Sequence, residues 1–371
     1  MSRYNSAMKK IRILFVIPFM NGGGAERVVL TLLSHLDRQK FEPILVMMKR
    51  EGRYLSFIPG DIEVIDLKAS QARFAVFKII KVIQVQKPDI VFATLAYLNL
   101  IIAMVRPFLS KDIIFIARES NTVSVRNKRE KYPRLFDWLY RKIYKNFDKI
   151  VTQAAYMQND LVENYGIDRE KTIIIYNPVD VDDVQEKALL DKRVTLAKKY
   201  NLLAVGKLGY QKGYDMMLPI MTHLDDSYHL TILGEGADKE KLVLQMKALG
   251  LESRVTFAGF SDNPFAYMKK ADLLVLPSRY EGLANVILEA NILGTPVVAF
   301  NSPGGVGEIV QEGKNGFLVQ PFDEAEFART VEKARAYDFD TQAIKEMTKE
   351  GFAIKKIIQE YEALFSVVKG A

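Results

Sequence analysis

Two glutamates and two lysines have types and spacing suited to binding an elongated phosphorylated ligand. Lys207 and Lys212 lie five residues apart in the glycine-bounded segment Gly206–Gly213. A lysine ammonium acts on phosphate as a point charge, so both could bind one diphosphate; the alternative is an ordinary solvated loop. Glu281 and Glu289 are separated by seven residues, and a predicted helix would place Glu289 two turns, about 10 Å, beyond its start. Two carboxylates at that separation could hold the two ends of one ligand.

Glycines at predicted helix starts are a second indication of a binding site for an anionic ligand. Asn21–Arg27, with Gly22, Gly23 and Gly24, follows the first predicted strand and opens a helix. Backbone N–H groups there, and those of Gly282, Leu283, Ala284 and Asn285, could approach an anion at a helix N-terminus. The alternative is turn geometry that requires glycine. The spacing is not G-x-G-x-x-G, which argues against a nicotinamide enzyme.

Composition excludes several classes of protein. The chain has 371 residues, of which 49% are hydrophobic and 26% charged, so it is an ordinary globular sequence rather than a disordered one. The absence of cysteine excludes disulfides, thiolate metal sites and cysteine nucleophiles, and three histidines make no convincing metal cluster. No apolar stretch reaches the roughly 18 residues of a membrane helix. We therefore expect no metal, and a chain long enough for two domains.

Short apolar runs alternate with helical patterns along most of the chain, which predicts parallel sheets covered on both faces. The predicted strands of the first half are Ile11–Ile17, 44–48, 62–67, 89–93, 113–117, 150–153 and 172–175, and those of the second half are 202–205, 229–233, 255–257, Leu273–Leu276 and Val297–Phe300. We expect an N-terminal domain over 1–177, a linker over 178–200, a second doubly wound domain over 201–350 and a C-terminal helix over 351–371. Ligands of such folds bind at the carboxyl ends of the strands.

Charge is spread unevenly, which suggests an anionic partner for one half. Residues 1–177 hold 29 Lys and Arg against 17 Asp and Glu, a net charge of +12, and the remainder is −5. Basic and aromatic residues interleave over 126–149, including Arg126, Lys128, Arg129, Lys142 and Lys145. This pattern favours an anionic membrane surface. The alternatives are a solvated helix face or, without any recognisable module, nucleic acid.

In combination these motifs resemble the retaining family 4 glycosyltransferases. Glu281 and Glu289 resemble the family's E-x7-E signature, and Lys207 and Lys212 its basic pair. Gly22–Arg27 resembles its N-terminal loop and Asn177–Asp180 its interdomain segment. The resemblance covers residues 11 to about 365. It implies the GT-B fold, in which two Rossmann-like domains face each other across a cleft and a C-terminal helix crosses back to the first.

The resemblance also implies residue roles. Lys207 and Lys212 would hold the nucleotide diphosphate, Glu281 the donor sugar and Glu289 the ribose. Phe260 would contact the base through its backbone, and the amides of Leu283–Asn285, with the Gly23–Gly24 loop, would assist at the donor. Two positions depart from the family: Lys207 stands where Arg is usual, and Glu119 where many members have a His that touches the donor sugar. We expect Glu119 to orient a sugar or acceptor hydroxyl.

The function that follows is retaining, metal-independent transfer of a hexose or N-acetylhexosamine. The donor would be a nucleotide sugar, with UDP favoured by family frequency. The acceptor would be a membrane-associated glycan, such as a polyprenyl-diphosphate-linked oligosaccharide in O-antigen, capsule or N-glycan assembly, and the protein would lie peripherally on the inner leaflet of the cytoplasmic membrane. A nucleotide-sugar epimerase of the same fold and a non-catalytic scaffold of a polysaccharide assembly complex are the alternatives.

Overall fold

The computed structural model describes residues 9–69, 72–190, 196 and 199–370. The chain forms two compact units. Unit 1 contains the segments Met1–Pro178 and Lys355–Ala371, and unit 2 is the segment Val179–Ile354.

Unit 1 is built on a parallel sheet. Within the described residues it has seven strands in the order β3-β2-β1-β4-β5-β6-β7. They are β1 (Ile11–Ile17), β2 (Phe41–Met47), β3 (Glu63–Asp66), β4 (Ile90–Thr94), β5 (Ile114–Arg118), β6 (Lys149–Thr152) and β7 (Thr172–Ile174). The direction of crossover reverses between β1 and β4, which is where doubly wound sheets bind ligands.

The helices of unit 1 connect these strands and cover the sheet. They are α1 (Gly24–His35), α2 (Ala72–Gln86), α3 (Ala96–Val105), α4 (Val123–Asn127), α5 (Pro133–Ile143) and α6 (Ala155–Tyr165). Strand side chains alternate between the two faces. Leu14 and Val16 of β1 therefore join one core together with α2, α3 and the inner side of α5. Phe15 lies on the opposite face.

A helix from the other end of the chain covers that opposite face. This helix is α15 (Ile354–Lys369). Its Phe365 ring packs against the rings of Phe15 and Phe92, at centroid distances of 6.4 and 5.9 Å. Glu362 accepts a hydrogen bond from the Asp37 backbone N–H at 2.8 Å. The core of unit 1 thus includes residues that follow the whole of unit 2 in the sequence.

Unit 2 has the same architecture. Six strands of its described residues form a parallel sheet in the order β10-β9-β8-β11-β12-β13. They are β8 (Tyr200–Val205), β9 (Tyr228–Leu233), β10 (Val255–Gly259), β11 (Leu273–Leu276), β12 (Val297–Phe300) and β13 (Gly316–Val319). Its helices are α7 (Val181–Leu190), α8 (Tyr214–Thr222), α9 (Lys239–Ala248), α10 (Pro264–Lys270), α11 (Asn285–Ile292), α12 (Val306–Ile309), α13 (Glu324–Ala336) and α14 (Thr341–Phe352). The prediction of two doubly wound parallel-sheet domains is confirmed.

Several local features differ from the expectation. The stretch 178–200 contains α7, which packs against α10 and α11 in unit 2. Strand β13 and helix α6 were not predicted, and the expected C-terminal helix is interrupted at Ala353, between α14 and α15. Helices α6 and α7 contain many polar residues, which obscure the periodic apolar pattern.

Candidate active site

The loops that follow β8, β11 and β12 meet at one edge of the unit 2 sheet. These strands are parallel neighbours, so their carboxyl ends lie side by side. The backbone N–H of Arg279 donates to the Gln211 carbonyl at 2.8 Å, and that of Glu281 donates to the Pro303 carbonyl at 2.9 Å. A Cβ on Gly304 would lie 2.2 Å from the Glu281 carbonyl oxygen, so only glycine permits this approach. The two segments of this half that the sequence analysis singled out therefore form one cluster with the loop after β12.

At the centre of this cluster Glu281 is paired with Lys212. The Lys212 Nζ lies 2.7 Å from the Glu281 Oε1, and the Ser278 hydroxyl donates to the same oxygen at 2.7 Å. Glu281 is buried, with 5% of its surface exposed, whereas the Lys212 side chain keeps 17%. The resemblance assigns these two side chains to different parts of a donor, and the structure brings them into direct contact.

The other residues expected in unit 2 lie around this pair. Lys207, on the loop after β8, is exposed, and Phe260, which follows β10, has half of its surface exposed. Helix α11 begins only at Asn285, after Ala284 in a left-handed conformation with φ of 63°. Glu289 is therefore one turn into the helix, about 6 Å from its start, rather than two turns. It is buried there, as are its neighbours in α11.

An ion pair that the sequence analysis missed fixes the Lys212 loop. The Arg279 guanidinium donates to both carboxylate oxygens of Asp215, at 2.8 and 2.7 Å, and lies 4.2 Å from the centre of the Tyr210 ring. This bidentate contact holds the pKa of Asp215 below its usual value. The pair joins the first turn of α8, which directly follows the Lys212 loop, to the loop after β11. The two residues are 64 positions apart, so no local pattern reveals their contact.

In unit 1 the glycine loop after β1 is shaped around its own glutamate. A Cβ on Gly23 would lie 2.2 Å from the Glu26 Oε2, so the missing side chain makes room for this carboxylate. Burial raises the pKa of Glu26, and hydrogen bonds from the backbone N–H groups of Glu26 and Gly23 partly offset that effect. The sequence predicts a donor anion at Gly23 and Gly24. In the structure the Gly23 backbone contacts the Glu26 carboxylate, while both glycines are exposed.

Glu119 lies in a buried network of polar side chains in unit 1. It follows β5 and is 1% exposed. Its carboxylate accepts hydrogen bonds from Asn99 at 3.2 Å, from Tyr140 at 3.1 Å and from Tyr144, and it pairs with Arg126 at 3.4 Å. Burial raises the pKa values of both tyrosines, so the phenols keep their protons and donate. The carboxylate is thus enclosed by side chains in the interior of unit 1, and its contact with a sugar or acceptor stays a prediction.

The same network changes the expectation for Arg126. We predicted this residue on an exposed basic surface, but its side chain is only 14% exposed and is bound to Glu119, Asn127 and Tyr140. Lys128, Arg129, Lys142 and Lys145 are exposed, as predicted for such a surface. The helical period explains the difference, because Arg126 lies on the side of α4 that faces the core.

Neither metal ligands nor a membrane span are found in the part of the chain that the structure describes. No group of three or more His, Asp or Glu side chains there is placed to hold a metal ion. None of the helices described is long and apolar enough to cross a bilayer. The expectation that no metal takes part stays a prediction.

Comparison with known proteins agrees with this geometry. Residues 22–183 match the family Glycosyltransferase Family 4, and residues 186–350 match the family Glycosyl transferases group 1. One relative is a 4-alpha-N-acetylgalactosaminyltransferase of Campylobacter jejuni, which is 31% identical over 85% of this chain and 87% of its own length. Its name gives the substrate as N-acetylgalactosamine-N,N'-diacetylbacillosaminyl-diphospho-undecaprenol. The amylovoran biosynthesis glycosyltransferase AmsD of Erwinia amylovora is 24% identical over 84% of this chain and 86% of its own.

Solved structures show the same fold. The crystal structure of Anabaena HepE with UDP-glucose superposes with a TM-score of 0.80 over 96% of this chain and 100% of that one, at 20% sequence identity. The fold is that of the GT-B class. The chain belongs to the family 4 glycosyltransferases.

Proposed function

We propose that this protein transfers a hexose or N-acetylhexosamine, with retention of configuration, from a UDP-sugar to a lipid-linked glycan at a membrane surface. The observation that carries the proposal is the Lys212–Glu281 pair, a cation and a carboxylate in contact where β8 and β11 end. The UDP-glucose complex of HepE supports the donor class. The diphospho-undecaprenol in the name of the Campylobacter relative supports the acceptor class.

On this proposal the donor breaks the contact between Lys212 and Glu281 and becomes the new partner of both side chains. A diphosphate at the Gly206–Gly213 loop competes for the Lys212 ammonium, and the released Glu281 carboxylate can accept hydrogen bonds from sugar hydroxyls. Lys207 adds a second positive charge, Glu289 binds the ribose, and Phe260 contacts the base. The amides of Gly282–Asn285 at the start of α11 complete the phosphate contacts.

The chemistry follows from the change in charge. The bond between the anomeric carbon and the diphosphate breaks, which leaves positive charge on the sugar ring and negative charge on the phosphate. The acceptor oxygen forms the new bond, and its proton passes to the departing phosphate. Fixed cations stabilise that charge most in the transition state, when it is largest, so Lys207 and Lys212 supply this stabilisation without a metal.

Helix α5 is the proposed membrane contact. Trp138 and Leu135 are 53% and 50% exposed, on the side of the helix opposite the buried Tyr140. The exposed basic residues Arg134, Arg141, Lys142 and Lys145 surround them. We call these six residues the α5 surface. Aromatic and aliphatic side chains among basic ones suit the boundary of an anionic bilayer, with about 1 kcal/mol per basic residue. This surface would hold the protein on the cytoplasmic leaflet.

A transfer assay tests the proposal. The purified protein is incubated with radiolabelled UDP-sugars and a bacterial lipid extract, and the products are separated into lipid, free sugar nucleotide and its epimer. We expect label in the lipid fraction with at least one donor, and none with Glu281→Gln, which keeps the shape but removes the charge. Conversion of the free donor into its epimer would support the epimerase, and no turnover with any donor would support the scaffold. Either result would refute the proposed transfer.

A further inference from the structure

The phenol of Tyr214 is buried beside the central pair and has no hydrogen-bond partner among the described residues. Tyr214 is the first residue of α8, 2% of its surface is exposed, and its Oη is both inaccessible and unpaired. A buried hydroxyl without a partner destabilises a protein by about 1–3 kcal/mol. Such groups are rare in native proteins, and each requires an explanation.

The position of this hydroxyl points to a ligand. A Cβ built on Gly206 would lie 3.1 Å from the Tyr214 Oη and 2.7 Å from the Lys212 Cε. The hydroxyl and the lysine side chain therefore pack together beside Gly206, where only a glycine leaves room for both. Lys212 extends from there to Glu281.

The protonation of Tyr214 suits it to donate a hydrogen bond. Burial, and then the nearby negative charge of Glu281, raise the pKa of the Tyr214 phenol. The group therefore keeps its proton at neutral pH. A neutral O–H beside the Lys212 side chain can donate to an anionic oxygen that Lys212 binds, and hydrogen bonds to charged groups are stronger than those between neutral ones.

We propose that Tyr214 is a further donor-binding residue, whose hydroxyl donates a hydrogen bond to the sugar-linked phosphate of the nucleotide sugar. The inference rests on the proposed function, because the donor's diphosphate supplies the anionic oxygen. It selects the sugar-linked phosphate because Tyr214 lies beside both Lys212, which binds the diphosphate, and Glu281, which binds the sugar. Binding then satisfies a group that is unpaired in the protein alone.

The Tyr214→Phe variant tests this inference because its two expected effects have opposite signs. Removal of an unpaired buried hydroxyl should raise the thermal midpoint of the protein alone. The same change should weaken UDP binding about tenfold, since a hydrogen bond to a charged group is lost. A residue that merely supports the fold would lower the midpoint and leave affinity unchanged. Thermal unfolding and titration calorimetry on the full chain measure both effects.

Tyr228→Phe is the matched control. Tyr228 is 3% exposed and lies at the start of β9, at the edge of the sheet opposite the carboxyl ends, and its hydroxyl is bound to Arg335. Loss of that hydroxyl should lower the thermal midpoint and leave UDP affinity as in the unmodified protein. The two variants thus remove the same atom from two buried tyrosines with opposite predicted effects.

A comparison of UMP with UDP shows which phosphate the Tyr214 hydroxyl contacts. UMP lacks the second phosphate, so its affinity should agree within about twofold between Tyr214→Phe and the unmodified protein, while that of UDP falls. Equal UDP affinity in both proteins would overturn this inference and leave the proposed function standing. An equal loss for UMP and UDP would also overturn it, because the contact would not involve the second phosphate. If the unmodified protein bound neither UDP nor UDP-sugars, both this inference and the proposed donor would fail.

Discussion

Units 1 and 2 each bury a glutamate just beyond the carboxyl end of a parallel strand, but the two carboxylates have different surroundings. Glu119 in unit 1 is contacted by side chains from α3, α4, α5 and the turn after α5, all packed into the core. Glu281 in unit 2 is contacted by Lys212 and Ser278, both on strand-end loops. A strand end can therefore supply either a structural anchor or a reactive site. The outcome depends on whether the partners can be exchanged for a ligand.

The largest expected effect is the loss of stability when the structural anchor, Glu119, is removed. Glu119→Ala leaves Arg126 buried without its carboxylate and two tyrosines without an acceptor, which should reduce the free energy of unfolding by about 3–5 kcal/mol. Glu281→Ala should lower it less, because Lys212 lies on a strand-end loop and its long side chain can turn toward water, whereas the Glu119 partners are packed into the core. Urea denaturation of both variants measures the difference. Equal losses would contradict the distinction between anchor and reactive site.

The next effect concerns catalysis at the exchangeable pair. Lys212→Ala should lower turnover by about two orders of magnitude or more, because a cation that stabilises the leaving phosphate is lost. Lys247→Ala, which removes an exposed lysine from the last turn of α9, is the control for charge and should retain turnover. Steady-state transfer assays with the best donor measure both. Turnover of Lys212→Ala close to that of the control would remove Lys212 from the site.

Reversal of charge on the α5 surface tests whether unit 1 also has a role at the membrane. Lys142→Glu combined with Lys145→Glu should weaken binding to anionic liposomes by about thirtyfold, at roughly 1 kcal/mol per basic residue. Co-sedimentation measures binding, which should rise with the fraction of anionic lipid and fall with salt. Transfer to a short soluble acceptor should be unaffected. If the double variant sediments as the unmodified protein does, the α5 surface is only a solvated helix face.

The smallest effect separates the two glutamates of unit 2. Glu289→Ala should weaken the binding of UDP about tenfold, as expected when a charged hydrogen bond to the ribose is lost. Glu281→Ala should leave UDP affinity nearly intact and lower the rate of sugar transfer instead. Calorimetry with UDP and transfer kinetics with the donor provide the two measurements. Similar losses of UDP affinity in both variants would argue against separate roles.

Sequence patterns predicted the parts of the molecule that depend on local periodicity. Ile11–Ile17, Leu273–Leu276 and Val297–Phe300 have the predicted bounds because buried parallel strands are apolar runs, interrupted here only by Arg12. The direct contact between Lys212 and Glu281 was not predicted; it arises because their loops leave neighbouring strands at the same edge of the sheet. The direction of Glu119 could not be predicted, because its partners come from four separate elements. The Arg279–Asp215 and Tyr214 contacts likewise depend on packing between distant segments.

The position of α15 at the end of the chain limits when unit 1 can complete its fold during translation. The aromatic residues that cover Phe15 and Phe92 are Tyr361 and Phe365, so the first strand made is completed by residues translated after all of unit 2. Unit 2 is continuous in sequence and can finish folding as it leaves the ribosome, although it is translated second. In unit 1 the part of the sheet face around Phe15 and Phe92 stays uncovered in the meantime. During translation, at about 5–20 residues per second, that face is exposed for at least ten seconds or so and is open to chaperones.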